Sequence, residues 1–180
     1  MVSQPAYPRV ESSEGLDLIK AQMVAMMKRH GFNGLAAPQV GIMLQLVVVK
    51  LEDGAYLDLV NPEITRMYGA EVEELETCSS CPPQDNTCKV ARMQIIHLKA
   101  SSIYNLENVE DLRFKGNYSR VIQHEIDHLQ GVFFFNRASI KDSVEVVQRF
   151  KNWRHQWRLN NEREKHGSDS ITKTKEGSSV

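Results

Sequence analysis

His124 and His128 flank the five-residue segment His124-Glu125-Ile126-Asp127-His128. On a helix, residues i and i+4 share a face, so both imidazoles reach one metal ion. Glu125 then stands beside them, placed to take a proton from a water that the ion activates. The helix itself is expected over about Tyr118 to Gln130, between the breaks at Gly116-Asn117 and Gly131. Two histidines leave a third protein ligand to find, and the chain must fold so that this ligand meets the same face. A histidine at position 134 would complete one known zinc pattern, but that position is Phe134. A downstream glutamate, with Glu145 the best placed, and the upstream thiol of Cys78 remain.

Composition narrows the setting. In 180 residues, 41% are hydrophobic and 25% charged, enough apolar material for a core and too much for general disorder. A formal net charge of −1 argues against a whole-chain grip on DNA or anionic lipid. The longest apolar run, Leu44 to Val49, is interrupted by Gln45 and reads as a strand, so no membrane span is expected. The opening residues show neither a secretory signal nor a transit-peptide pattern. All three cysteines, Cys78, Cys81 and Cys88, fall in one short stretch. An odd, clustered set suits a reducing compartment and a metal or catalytic use better than a disulfide framework. A redox pair Cys78-x-x-Cys81 lacks a strand-then-helix context, and Pro82-Pro83 would obstruct a helix start.

The expected organisation is α+β. A first helix over about Glu14 to His30 carries Leu16, Ile19, Met23, Met26 and Met27 on one face, with Ser12 or Ser13 as its cap and Gly31 at its end. A loop over Phe32 to Gln39 precedes strands over Gln45–Leu51, Ala55–Val60 and Lys89–Leu98, with a shorter one around Val109–Phe114. Phe133 to Phe135 is expected as a short buried strand or turn. A third helix over 142–164 closes a single catalytic domain spanning 1–166. Residues 167–180, with almost nothing to bury, are expected as a disordered tail.

Three segments, in order, resemble the peptide deformylase family: Gly34-Leu35-Ala36-Ala37-Pro38-Gln39-Val40-Gly41, Glu76-Thr77-Cys78-Ser79-Ser80, and Gln123-His124-Glu125-Ile126-Asp127-His128. Asn61-Pro62-Glu63-Ile64 is similar to the family as well, and the likeness runs from about Gly15 to Arg137. It implies antiparallel sheets around a central metal-binding helix, plus a C-terminal helix. Cys78, His124 and His128 would hold one divalent ion, ferrous iron natively, with zinc, nickel or cobalt able to substitute. Glu125 would be the general base. The Gln39 side-chain amide and the Ser79 backbone N–H would stabilise the developing oxyanion. The implied reaction is removal of the N-formyl group from the N-terminal methionine of newly made proteins. Formylated nascent peptides would be the partners, with the ribosome a further one through Arg154 and Arg158 on the C-terminal helix. Such substrates occur in bacterial cytoplasm and in organelles such as the mitochondrion.

The sequence also departs from that pattern. Phe32 stands where the first segment usually opens with glycine, and Thr77 and Ser79 replace the glycine and leucine around the cysteine. Asp85 stands seven residues after the cysteine, where arginine is frequent. Gly34 and Leu35, with Asn33, Thr77, Asn117, Arg120 and Val121, are the expected substrate-binding residues. Asn33, Glu74, Ser79, Asn117 and Arg120 make a polar wall against which an apolar thioether gains little. One alternative is therefore a divergent relative with altered substrate preference or lost activity. A zinc peptidase using Glu145 is another. Asp127 faces away from the metal and is expected in an ion pair with Lys89 or Arg92.

Overall fold

A computed structural model describes residues 7–83 and 85–172, with side chains up to 162. In chain order the elements are α1 (Leu16–His30), β1 (Gly34–Ala36), β2 (Leu46–Lys50), β3 (Tyr56–Glu76), β4 (Cys88–Ser102), β5 (Asn105–Lys115), α2 (Asn117–Leu129) and α3 (Ile140–Thr172). Short 3-10 turns at Ala37–Val40 and Phe134–Arg137 join them. The strands form one antiparallel sheet in sequence order, β1-β2-β3-β4-β5. No helix is long and apolar enough to cross a membrane among the described residues.

The sheet is covered on both faces at its β1–β2 end, which is why Leu46-Val47-Val48-Val49 is apolar without alternation. Leu46 and Val48 pack with Leu16, Met23 and Met27 of α1. Val47 and Val49 pack with Ile122, Ile126 and Leu129 of α2. The methionine stripe is core at Met23 and Met27 but exposed at Met26. The α1 cap differs from expectation. Gly15, with φ 72°, takes the N-cap position with no side-chain cap, and Ser12 Oγ instead accepts from Glu14 N–H. Gly31 ends the helix at φ 72°, as expected.

β3 runs on past Val60, the expected strand end, through Asn61-Pro62 and Gly69 to Glu76. These residues sit at register shifts against β4, so they bend the strand instead of ending it. The bend matters because the far end of β3 delivers Glu76 and then Cys78. Asn61 pays for its shift locally. It adopts φ 52°, and its side chain accepts from Val10 N–H and donates to Val10 O at 2.7 and 2.9 Å.

Where β5 ends, α2 takes over the edge of β4. Ser119 Oγ and Gln123 Nε2 both donate to Met93 O at 2.8 Å, and Gln123 Oε1 accepts from Met93 N–H. These contacts fix the rotation of α2 about its axis, and so the direction in which His124, Glu125 and His128 point. α3 meets the domain through its first turns. Val146 is buried with Cys78, Cys81, Cys88, Val90 and Phe134, while Trp157 is exposed and not packed on the domain. Trp153 is half-buried between Phe150 and Trp157. The backbone of α3 continues past Gly167 to Thr172, and 173–180 lie outside the described residues.

Two outcomes follow. Asn61→Ala is expected to lower the unfolding free energy by about 2–3 kcal/mol, from the left-handed backbone and the lost hydrogen bonds. Asn61→Gly restores the backbone freedom and should recover about 1 kcal/mol of that in urea titrations. Equal losses would mean that φ contributes nothing. The second concerns Asp58, buried on β3. Burial raises its carboxyl, but Lys20 of α1, Ile103 N–H and Ser102 Oγ outweigh it and hold the pKa below the usual 3.8. Its stabilisation is present above pH 3.8 and is lost as pH falls through the folded value. Asp58→Asn should flatten the acid limb of stability against pH relative to the parent.

Candidate metal centre and active-site cleft

α2 presents His124 and His128, and the turn after β3 presents Cys78. Their ligating atoms lie within 4.8 Å of one another. Cys78 Sγ is 3.2 Å from His128 Nε2, and the two imidazole planes meet at 76°. This is the one such cluster among the described residues. Glu145, the alternative third ligand, is exposed on α3 and takes no part in it. Burial pushes the Cys78 thiol up, but the rings of His124 and His128 outweigh it and hold its pKa at about 5. The sulfur is thus a thiolate at neutral pH, the form that binds divalent metals. His124 is opposed by burial but favoured by Cys78 and Glu76, which raise its pKa to about 10. A metal held by this ring would displace that proton.

Each ligand has a fixed support. His124 Nδ1 donates to Glu76 Oε2 at 3.0 Å, which leaves Nε2 to ligate. Burial raises the Glu76 carboxyl, but His124 and Arg92 overcome it and bring the pKa to about 2. Arg92 bonds both Glu76 oxygens at 3.0 Å and reaches Asp127 at 2.6 Å. Asp127 also accepts from Arg137 at 2.6 Å. Of the two partners expected for Asp127, Arg92 is correct, while Lys89 pairs with Glu73. Glu76 and Arg137 were missed by sequence reasoning. Glu76 lay inside a quoted segment, and a ligating histidine needs a partner on its other nitrogen, so that signal was present. The cysteine loop is tied down separately. Buried Asn86 donates to Cys81 O and Val146 O, and Arg149 of α3 donates to Asn86 Oδ1 and Thr87 O.

Beside the cluster lies Glu125, 5% exposed, whose Oε2 has no hydrogen-bond partner among the described residues. Burial, the dominant cause, raises its pKa against the opposing pull of His124 and His128. A raised carboxylate is a stronger base, suited to accepting a proton near neutral pH. A thiolate, two imidazoles and an unsatisfied buried carboxylate fit a divalent ion with an attached water. The backbone of Gly34 passes directly over Glu125. A Cβ there would lie 2.7 Å from Val121 Cγ1 and 2.8 Å from both Cγ and Oε1 of Glu125. The side-chain amide of Gln39 completes the arrangement. Its Oε1 accepts from Ala36 N–H at 2.8 Å, which turns Nε2 toward Cys78 Sγ, 3.7 Å away, and Ser80 Oγ.

A cleft of about 530 Å³ opens onto this centre. Asn33, Gly34, Gln39, Thr77, Cys78, Ser79, Arg120, Val121, His124 and Glu125 line it, all expected from sequence, while His128 is buried behind. Leu35 is a correction: alternation along β1 turns it away from α2 into the α1 core, at 2% exposure. Asn117 lines a neighbouring cavity of about 850 Å³ instead. Glu74 is not in the lining, and pairs with Arg120 at 3.0 Å. Phe32 and Leu75 add apolar surface that was not anticipated. The wall is thus less polar than the sequence suggested.

A soft-ligand metal cluster beside a buried carboxylate base, on an α+β sheet, is the architecture of a metal-dependent hydrolase. Residues 2–144 match the family model for polypeptide deformylase, and the chain belongs to that family, whose members are metallo-hydrolases. A peptide deformylase of Dictyoglomus thermophilum is 40% identical over 116 residues, 64% of this chain and 72% of the relative. One of Acidobacterium capsulatum is 35% identical over 159 residues, 84% and 88% of the two chains. Among solved structures, the peptide deformylase of Synechococcus elongatus in complex with actinonin superposes with a TM-score of 0.73 at 34% identity, covering 83% of this chain and 80% of that one. That of Thermus thermophilus gives 0.75 at 29% identity, covering 84% and 88%.

Gly34→Ala should displace Glu125 without touching the three ligands. Turnover is expected to fall at least tenfold, with one metal still bound per chain and a stability loss of about 1–3 kcal/mol. Full activity would show that Glu125 has room to yield.

Proposed function

We propose that this chain is a peptide deformylase that hydrolyses the N-formyl group from the N-terminal methionine of newly made proteins. The observation that carries the reading is the buried Glu125 Oε2, without a hydrogen-bond partner among the described residues, beside the Cys78–His124–His128 cluster, with the Gln39 amide facing the same cleft. Cys78, His124 and His128 would hold the ion, which this reading takes as ferrous iron, with zinc, nickel or cobalt able to substitute. When bound it supplies Lewis-acid polarisation and lowers the pKa of coordinated water to about 7.

The chain's own residues do the rest. Glu125 takes a proton from the attacking water. As the water oxygen bonds to the formyl carbon, charge grows on the carbonyl oxygen. Gln39 Nε2 and the Ser79 backbone N–H donate to it. Glu125 then passes its proton to the departing nitrogen as the C–N bond breaks, leaving formate and a free N-terminal amine. Glu76 keeps His124 in the ligating tautomer throughout. Asn33, Gly34, Thr77 and Val121 would flank the peptide in the cleft. Exposed Arg154 and Arg158 on α3 support a further docking onto ribosomal phosphates.

The test is deformylation of a short formyl-Met peptide by protein loaded anaerobically with iron or nickel. Turnover is expected, reduced by about 10²–10⁴-fold in Glu125→Ala. Metal binding should be lost in Cys78→Ala and kept in Glu145→Ala. One metal bound per chain with no turnover would overturn the substrate assignment.

A further inference from the structure

We infer that Arg120 is a positioning residue for the metal centre, acting through Glu76 on His124 rather than on the substrate. The inference goes beyond the deformylase reading and rests on it only for its kinetic arm. Arg120 lies one helical turn before His124 and lines the cleft, where a substrate-wall role would be the simple expectation. Its hydrogen bonds point elsewhere. Nη1 donates to Glu76 Oε1 at 2.7 Å and to Val90 O at 3.0 Å, Nη2 to Val72 O at 2.6 Å, and Nε pairs with Glu74 at 3.0 Å. The side chain is 11% exposed. A guanidinium has five N–H donors in a rigid fork, and these bonds leave little for a ligand.

What the fork joins is the two halves of the ligand set. Cys78 follows two residues after Glu76, at the end of β3, while His124 and His128 stand on α2. Arg120 reaches from α2 to β3 at Val72, Glu74 and Glu76, and to β4 at Val90. Arg92 alone would hold Glu76 from the β4 side. Arg120 grips Oε1 as a second cation, so the carboxylate cannot swing and Oε2 stays on His124 Nδ1. Partners that orient a metal-bound histidine in this way commonly carry 10–100-fold in metal affinity or activity.

The experiment compares the parent with Arg120→Met, which keeps length and loses the fork, and Arg120→Lys, which keeps the charge. Metal release to a chelator is read first, with the visible spectrum of the cobalt-loaded protein. Kinetics with formyl-Met peptides follow. Arg120→Met should release metal at least tenfold faster and shift the cobalt bands. Its kcat should fall about tenfold with KM within twofold of the parent. Arg120→Lys should recover most of the metal retention. A lower KM for formyl-Met peptides, with kcat and metal release unchanged, would overturn the inference and make Arg120 part of the substrate wall. Unchanged metal release and spectrum with only a lower Tm would overturn it too, leaving a structural role. If Arg120→Met does not fold, Arg120→Gln, which also loses the charge and the fork, is read by the same release rate and spectrum against the same outcomes. Absence of turnover in the parent would count against the deformylase reading alone, since release and spectrum need no substrate.

Discussion

Five charged side chains run in series beneath the ligands: Arg120, Glu76, Arg92, Asp127 and Arg137. Arg92, Glu76 and Asp127 are buried, so each carries a large desolvation cost that only its neighbours offset. Such a chain has one low-energy arrangement. It fixes the end of β3 against α2 and α2 against the turn at Arg137, and so the cysteine against the histidines. Removing one member leaves each buried neighbour with fewer partners but not alone, so the cost is expected below the about 3–5 kcal/mol typical of a buried charge left wholly unpaired. The hydrophobic contacts of α2 on the sheet set its depth, whereas these ion pairs set its angle.

The fold was legible where periodicity spoke directly. α1, α2 and the β2 and β4 cores are where apolar spacing put them, because those residues face buried surfaces with a regular period. The long β3 was not legible, because Asn61-Pro62 and Gly69 look like breaks in a sequence. Only pairing with β4 shows that they are bulges. β1 was hidden for a related reason: three residues within a Gly/Pro-punctuated loop carry too little pattern to reveal a strand.

At the site, the candidate ligands and the candidate base were marked by spacing and resemblance, and the structure brings Cys78, His124, His128 and Glu125 together. The residues that orient them were harder. Arg120 looked like a wall residue because helix geometry puts it on the cleft side, but geometry alone does not say where a long side chain ends. Leu35 failed for the opposite reason. A motif groups it with Gly34, yet two neighbours on a strand point to opposite faces. The cleft combines polar Asn33 and Ser79 with apolar Phe32, Leu75 and Val121. Once the Arg120 guanidinium is committed to β3 and β4, much of the expected polarity is spent inside the protein.

Asn86 bears on the order in which the molecule assembles. Sheet, α2 and both histidines are complete once Leu129 has been made. The loop carrying Cys78 still lacks part of its support at that stage, because Asn86 also bonds Val146 O and Arg149 of α3. In synthesis from the N-terminus, these last supports of the Cys78 loop arrive only with the first turns of α3. The thiol's loop therefore draws its support from both ends of the chain, from Gln39 before it and from α3 after it.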